Sequence, residues 1–188
     1  MHSKLDDKIP FIKEFVVPYL LWFVYVGYGI IYTGLHSKQE YYRLYFFLGL
    51  GMSAAYTLYM IFPNMQDLRP AIKQNDIFSR MVKFVYLTDT PTNVCPSIHV
   101  FNAIGVDAAL AHSDSFCSKK YNRLISFIAM VLICLSTLFI KQHSVIDVFC
   151  GAILGIIFYF AIYLRLDIKQ LKSKYKRYFY NSVGVVDK

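Results

Sequence analysis

Five apolar stretches, at about Phe15–Tyr32, Tyr42–Phe62, Ser97–Ala111, Leu124–Ile140 and Val145–Leu164, decide which solvent this chain can fold in. Each lies near the roughly 20 residues with which a helix crosses a bilayer, where backbone N–H and C=O groups must bond to each other for want of water. The third is the shortest and contains His99 and Asp107. With 56% of its 188 residues hydrophobic and 18% aromatic, the chain suits one membrane domain over residues 1–188 better than a soluble globule. The expected fold class is all-α: a polytopic membrane helical bundle of about five transmembrane helices, with a short interfacial helix in the 63–96 loop. No small-residue cleavage site follows the first apolar run, so that span is expected to stay in the mature protein.

The 63–96 connection is the only long one. Asn75 or Asp76 is placed to cap a helix on which Ile77, Met81, Val82 and Val85 share one face and Ser79, Arg80 and Lys83 another, as in a segment lying flat at an interface. Thr88 to Asn93 then reads as a turn leading to Pro96, a residue suited to the first turn of a helix.

Charge sets the expected orientation. Five spans put the termini on opposite sides. One face collects Lys38, Arg43, Lys119, Lys120 and Arg123 together with the basic residues from Arg165 to Lys188, which makes it the cytoplasmic face. The 63–96 loop, His99 and His143 then face outward, as expected for a multi-pass protein of the cell membrane with an inner C-terminus. In the tail, at about 165–188, Ile168, Leu171, Tyr175, Tyr178 and Phe179 interleave with lysines, so the net charge of +8 is read as attraction to anionic membrane lipids. Without a recognition motif, no nucleic-acid partner is expected. Cys95, Cys117, Cys134 and Cys150 show neither CxxC spacing nor a disulfide framework, and each is read as a small packing residue.

The ionisable groups at the helix ends carry the chemistry. Pro96-Ser97-Ile98-His99 opens one apolar helix, and His143-Ser144-Val145-Ile146-Asp147 opens another. A His four residues before an Asp shares its helical face, so Asp147 is placed to hold one ring nitrogen of His143 and leave the other free as nucleophile or base. Ser97 is an N-cap candidate compatible with phosphate binding. Asp107, two turns below His99, has no assigned role, and Asp89 is read as a loop-ordering residue.

These residues resemble the type 2 phosphatidic acid phosphatases. That family carries a Lys followed seven residues later by Arg-Pro, then Pro-Ser-Gly-His, then Ser-Arg with a His and an Asp beyond. Arg69-Pro70, Pro96-Ser97-Ile98-His99 and Ser136-Thr137 with His143 and Asp147 match in order over most of residues 42 to 165, with Phe62, Ile98 and Thr137 as departures. Ile98 brings the second motif closer to the Pro-Ser-Leu-His of the inositol phosphorylceramide synthase-like branch, whose members transfer phosphorylated head groups.

The resemblance implies an integral membrane lipid phosphatase that needs no cofactor and no metal and acts on a lipid phosphate or diphosphate. His143 would attack phosphorus, Asp147 would orient it, and His99 would protonate the departing oxygen. Arg69, Ser97 and Lys141 are the candidate phosphate ligands. Lys141 has a competing reading as an interfacial anchor. Two alternatives stay open: a head-group phosphotransferase with the same histidines, and a non-enzymatic or metal-binding membrane protein with His99, His143 and Asp147 as ligands. The orientation is testable with cysteines introduced into a background lacking the native four. One at Thr92 should react with an impermeant thiol reagent in intact cells while those at Asn122 and Ser173 stay shielded; the opposite pattern inverts the topology.

Overall fold

The structure, a computed structural model, describes residues 1–164. The expected basic tail at 165–188 lies outside the described residues. Two single 3₁₀ turns, Asp6–Lys8 and Lys13–Phe15, lead into α1 (Val16–His36). Then follow α2 (Lys38–Ile61), α3 (Ile77–Thr88), α4 (Ile98–Ala111), α5 (Asp114–Cys117), α6 (Asn122–Phe139) and α7 (Val145–Tyr159), whose last turn widens to a π-helix at Phe160–Leu164. The expected all-helical membrane bundle is the fold observed. Among the described residues, four segments are long and apolar enough to cross a membrane: Lys13–His36, Lys38–Ile61, Asn122–Phe139 and Val145–Leu164.

The remaining expected span, α4, is different. Its 14 residues rise only about 21 Å, well short of the roughly 30 Å hydrocarbon core. It sits at the centre, contacted by α1, α2, α6 and α7, and nearly every residue from His99 to Leu110 is buried. A helix this short, with His99, Asn102 and Asp107 among its apolar residues, is shielded from lipid by that position. The four longer helices present their apolar outer faces around it, with Phe23, Val24, Ile31, Phe46, Ile125 and Phe149 among the exposed side chains.

Close approach to α4 comes from exchanged aromatic rings and glycines. Phe47 of α2 and Phe101 of α4 stack at 4.7 Å, each seated over a glycine of the opposite helix. A Cβ on Gly51 would stand 1.9 Å from Phe101 Cζ, and one on Gly105 2.4 Å from Phe47 Cδ1. On another face, a Cβ on Gly29 of α1 would lie 2.6 Å from Val106 Cγ1. Lower on α4, Asp107 Oδ1 accepts from Arg123 Nη1 at 2.6 Å and from Ser126 Oγ at 2.7 Å, and Tyr25 Oη joins Ser126 Oγ at 2.7 Å. The residue without an assigned role thus ties α1, α4 and α6 together.

α3 lies where expected, but rotated. Asp76 caps it, accepting from the amides of Phe78 and Ser79, and Ser79 Oγ also donates to this carboxylate at 2.7 Å. That bond turns Ser79 inward with Val82 and Val85, and leaves Ile77, expected on the apolar face, 65% exposed. Chain direction alternates through the bundle, so the N-terminal segment, α3 and the starts of α4 and α7 share one end. His36, α5 and the end of α7 share the other. Gly51→Ala and Gly105→Ala should each destabilise the bundle by about 1–3 kcal/mol through overpacking, measured as a fall in Tm in detergent. Ala at Gly27 or Gly49, where nothing lies within 4 Å, should leave it unchanged.

Candidate active site

The start of α7 is built by a capping box. Ser144 Oγ accepts from the Asp147 amide at 3.3 Å, and Asp147 Oδ2 accepts from the Ser144 amide at 2.8 Å. His143 therefore precedes the helix instead of riding on it, which corrects the expectation of a shared helical face. The contact survives for another reason: the capping box turns the Asp147 carboxylate back over the chain, leaving Oδ2 3.6 Å from His143 Nδ1. That is longer than a formed hydrogen bond. Asp147 Oδ1 and His143 Nδ1 are both buried without a hydrogen-bond partner.

The loop before His143 is pinned to the end of α6. The amides of Gln142 and His143 both donate to the Thr137 carbonyl, at 2.9 and 3.1 Å, and the chain turns there through a left-handed Lys141 with φ 58°. Thr137 is fully buried with its hydroxyl donated to the Cys134 carbonyl. It supplies structure where the resembling motif has a cation.

His143 Nε2 faces His99 Nδ1 at 3.5 Å. His99 sits in the first turn of α4 against two aromatic rings of α1, Tyr19 at 4.7 Å and Trp22 at 4.5 Å between centroids. Each histidine is only 6% exposed. Ser97 brings the α4 and α7 starts together, its amide donating to the Asp147 carbonyl at 3.0 Å. The approach depends on Gly151, where a Cβ would lie 2.5 Å from the Ser97 carbonyl oxygen. Ser97 is the N-cap by position, yet its hydroxyl makes no capping bond and is buried without any partner.

The structure thus brings His99, His143, Asp147 and Ser97 together. Arg69 stands one step out. Its guanidinium lies over the Tyr86 ring at 4.5 Å, donates to the carbonyls of Tyr86 at 3.0 Å and Asp89 at 2.5 Å, and leaves Nε buried without a partner. Burial lowers its pKa, though a guanidinium stays charged. It reaches the histidines through Asp89, whose carboxylate accepts from Tyr19 Oη at 2.5 Å and Gln142 Nε2 at 3.2 Å.

Lys141 points elsewhere. Its ammonium donates to the carbonyls of Asp6 at 2.7 Å and Ile9 at 2.6 Å, a contact neither of its sequence readings contains. Phe62 is 68% exposed. Among the described residues no three His, Cys, Asp or Glu side chains form a metal-binding group, and the four cysteines are free. Tyr19, Trp22 and Gln142 are the site neighbours that sequence reasoning missed. Gln142 adjoins His143 in the chain, the only signal it offered.

With this geometry in place, the family model of the PAP2 superfamily matches residues 44–170. The chain belongs to the PAP2 superfamily. No curated protein and no solved structure matches it. Membership supports a phosphatase-type activity on lipid or other phosphoesters. The match covers His99, His143, Asp147, Ser97, Arg69 and Lys141, and leaves out Tyr19, Trp22 and the N-terminal segment.

The two serines at the helix starts should respond differently to removal. Ser144→Ala breaks a used cap and should cost about 1 kcal/mol. Ser97→Ala deletes a buried hydroxyl with no partner and should leave stability unchanged or raised. Thermal unfolding of the two variants in detergent, side by side, checks the difference.

Proposed function

We propose that this protein is an integral membrane lipid phosphatase of the PAP2 type, hydrolysing a phosphate monoester or diphosphate of a lipid through a phosphohistidine. The observation that carries the reading is the line from Asp147 Oδ2 through His143 to His99: 3.6 Å to Nδ1, then 3.5 Å from Nε2 to His99 Nδ1. One nitrogen of His143 faces a carboxylate and the other faces a second imidazole. With its proton on Nδ1, held toward Asp147, His143 presents an unprotonated Nε2 to phosphorus.

In the first step the Nε2–P bond forms as the P–O bond to the lipid breaks, and His99 gives its proton to the leaving oxygen. Asp147 offsets the positive charge on the phosphorylated ring. In the second step His99 takes a proton from water, the water oxygen attacks phosphorus, and His143 leaves as phosphate departs. Charge on the transferred group's oxygens needs donors. Ser97 Oγ beside the histidines and Arg69 Nε one step out, both buried without partners, support phosphate binding. The end of the bundle holding the site is proposed to face the outer leaflet.

Four variants test the roles. His143→Ala should abolish turnover and acid-labile labelling by a ³²P substrate. His99→Ala should slow turnover by about 10²- to 10⁴-fold while still labelling slowly with a good leaving group. Arg69→Ala should be severe and Arg69→Lys only partly restorative, because an ammonium cannot reproduce the fork and the stacking on Tyr86. Near-normal turnover in either histidine variant would sink the assignment. Product formed only with an alcohol or polyol acceptor would make the protein a head-group phosphotransferase.

A further inference from the structure

The segment from Ser3 to Lys13, which lies outside the family match, forms a strap across the end of the bundle that holds the histidines. Asp6, 2% exposed, accepts from the Val145 amide through Oδ1 at 2.8 Å and from the Ser3 amide through Oδ2 at 2.7 Å. Val145 is the first residue of α7, two positions after His143. Free amides at a helix start attract anions, and the anion held at this one is a carboxylate from the protein itself.

The strap is fastened at three more points. Lys141 Nζ donates to the Asp6 and Ile9 carbonyls, and the Ile12 amide donates to the Phe139 carbonyl at 3.0 Å. Beyond them Lys13 Nζ donates to Gln74 Oε1 at 2.5 Å and Asp76 Oδ2 at 2.7 Å. The bonds from Lys13 and Ser79 hold the Asp76 carboxyl well below the usual carboxylate range, so this latch is charged at neutral pH.

The phosphoester reading above, on which this inference rests, requires a phosphate to reach a histidine pair that is 6% exposed. Among the described residues the site is also short of cations: Phe62 and Thr137 supply none, Arg69 stands one step out, and Lys141 gives its ammonium to strap carbonyls. Moving the strap bears on both conditions. It uncovers the α7 start and releases the ammonium nearest to His143 in sequence.

We propose that the strap is a gate whose Asp6 carboxylate competes with the substrate's phosphate for the start of α7. Opening exposes an anion subsite made of the Val145 amide and the Lys141 ammonium. Ser97 Oγ, fully buried and without a partner, lies on the segment bonded to the Asp147 carbonyl in the first turn of the same helix.

The test needs no turnover. Trp22 is the sole tryptophan and lies 4.5 Å from the His99 ring, so its fluorescence reports occupancy of the site. The full-length protein in detergent is titrated with inorganic phosphate. Asp6→Asn should bind phosphate about tenfold tighter, because a state that excludes the ligand is depopulated. Lys141→Met added to Asp6→Asn should reverse that gain. Lys13→Met, which loosens the latch far from α7, should tighten binding roughly two- to threefold; it also keeps the test decisive should Asp6→Asn fold poorly. Wild type that binds phosphate while Lys13→Met and Asp6→Asn bind it no tighter overturns the gate. A gain that survives Lys141→Met overturns the subsite. If neither wild type nor any variant binds phosphate, the phosphoester reading falls as well.

Discussion

A helix too short to cross the bilayer, buried on every side, organises this molecule. α4 cannot face lipid at both ends, so its N-terminus with His99 lies below the end of the bundle, and the 63–97 connection must descend to meet it. That descent takes backbone amides and carbonyls away from water, where each needs a partner. Side-chain amides supply them. Asn64 Oδ1 accepts from Val94 and Cys95 while its Nδ2 donates to the Cys95 carbonyl, and Gln66 bridges from the Leu68 amide to the carbonyls of Lys141 and Gln142. The loop that delivers Ser97 and the loop that delivers His143 are thus sewn to each other. The depth of the site is a consequence of the length of one helix.

Two helix starts converge there, joined by the bond from the Ser97 amide to the Asp147 carbonyl. Both direct the positive ends of their dipoles at the same small volume. With the Arg69 guanidinium held one step out, these backbone dipoles are a source of positive potential that costs no charged side chain. They also account for a carboxylate being accommodated so close to Asp147: Asp6 and Asp147 each take a bond from an amide at the α7 start.

The sequence made the spans, the His99 and His143 motifs and the loop helix legible, because each rests on local periodicity or short spacing. The His143–Asp147 contact was legible for a reason the structure replaces, a capping box instead of a helical face. Ile77 was assigned to the wrong side of α3, since hydropathy alone could not weigh the bond that draws Ser79 inward. Lys141 was illegible: its partners at Asp6 and Ile9 lie more than a hundred residues away, and nothing near it in the chain points to them. Tyr19 and Trp22 were hidden among 16 tyrosines, 16 phenylalanines and the apolar residues that every span carries.

The seclusion of the histidine pair has a bearing on product identity. On the proposed mechanism a phosphorylated His143 reacts with whichever hydroxyl arrives, and the catalytic groups treat water and an alcohol alike, since His99 takes the proton from either. Hydrolysis and head-group transfer then differ by admission alone. On that reading the groups around the pair, Tyr19 and Trp22 against His99 and the α7 start beside His143, would act as the sorting element. A few aromatic rings, and not the nucleophile, would divide a phosphatase from a transferase on this scaffold.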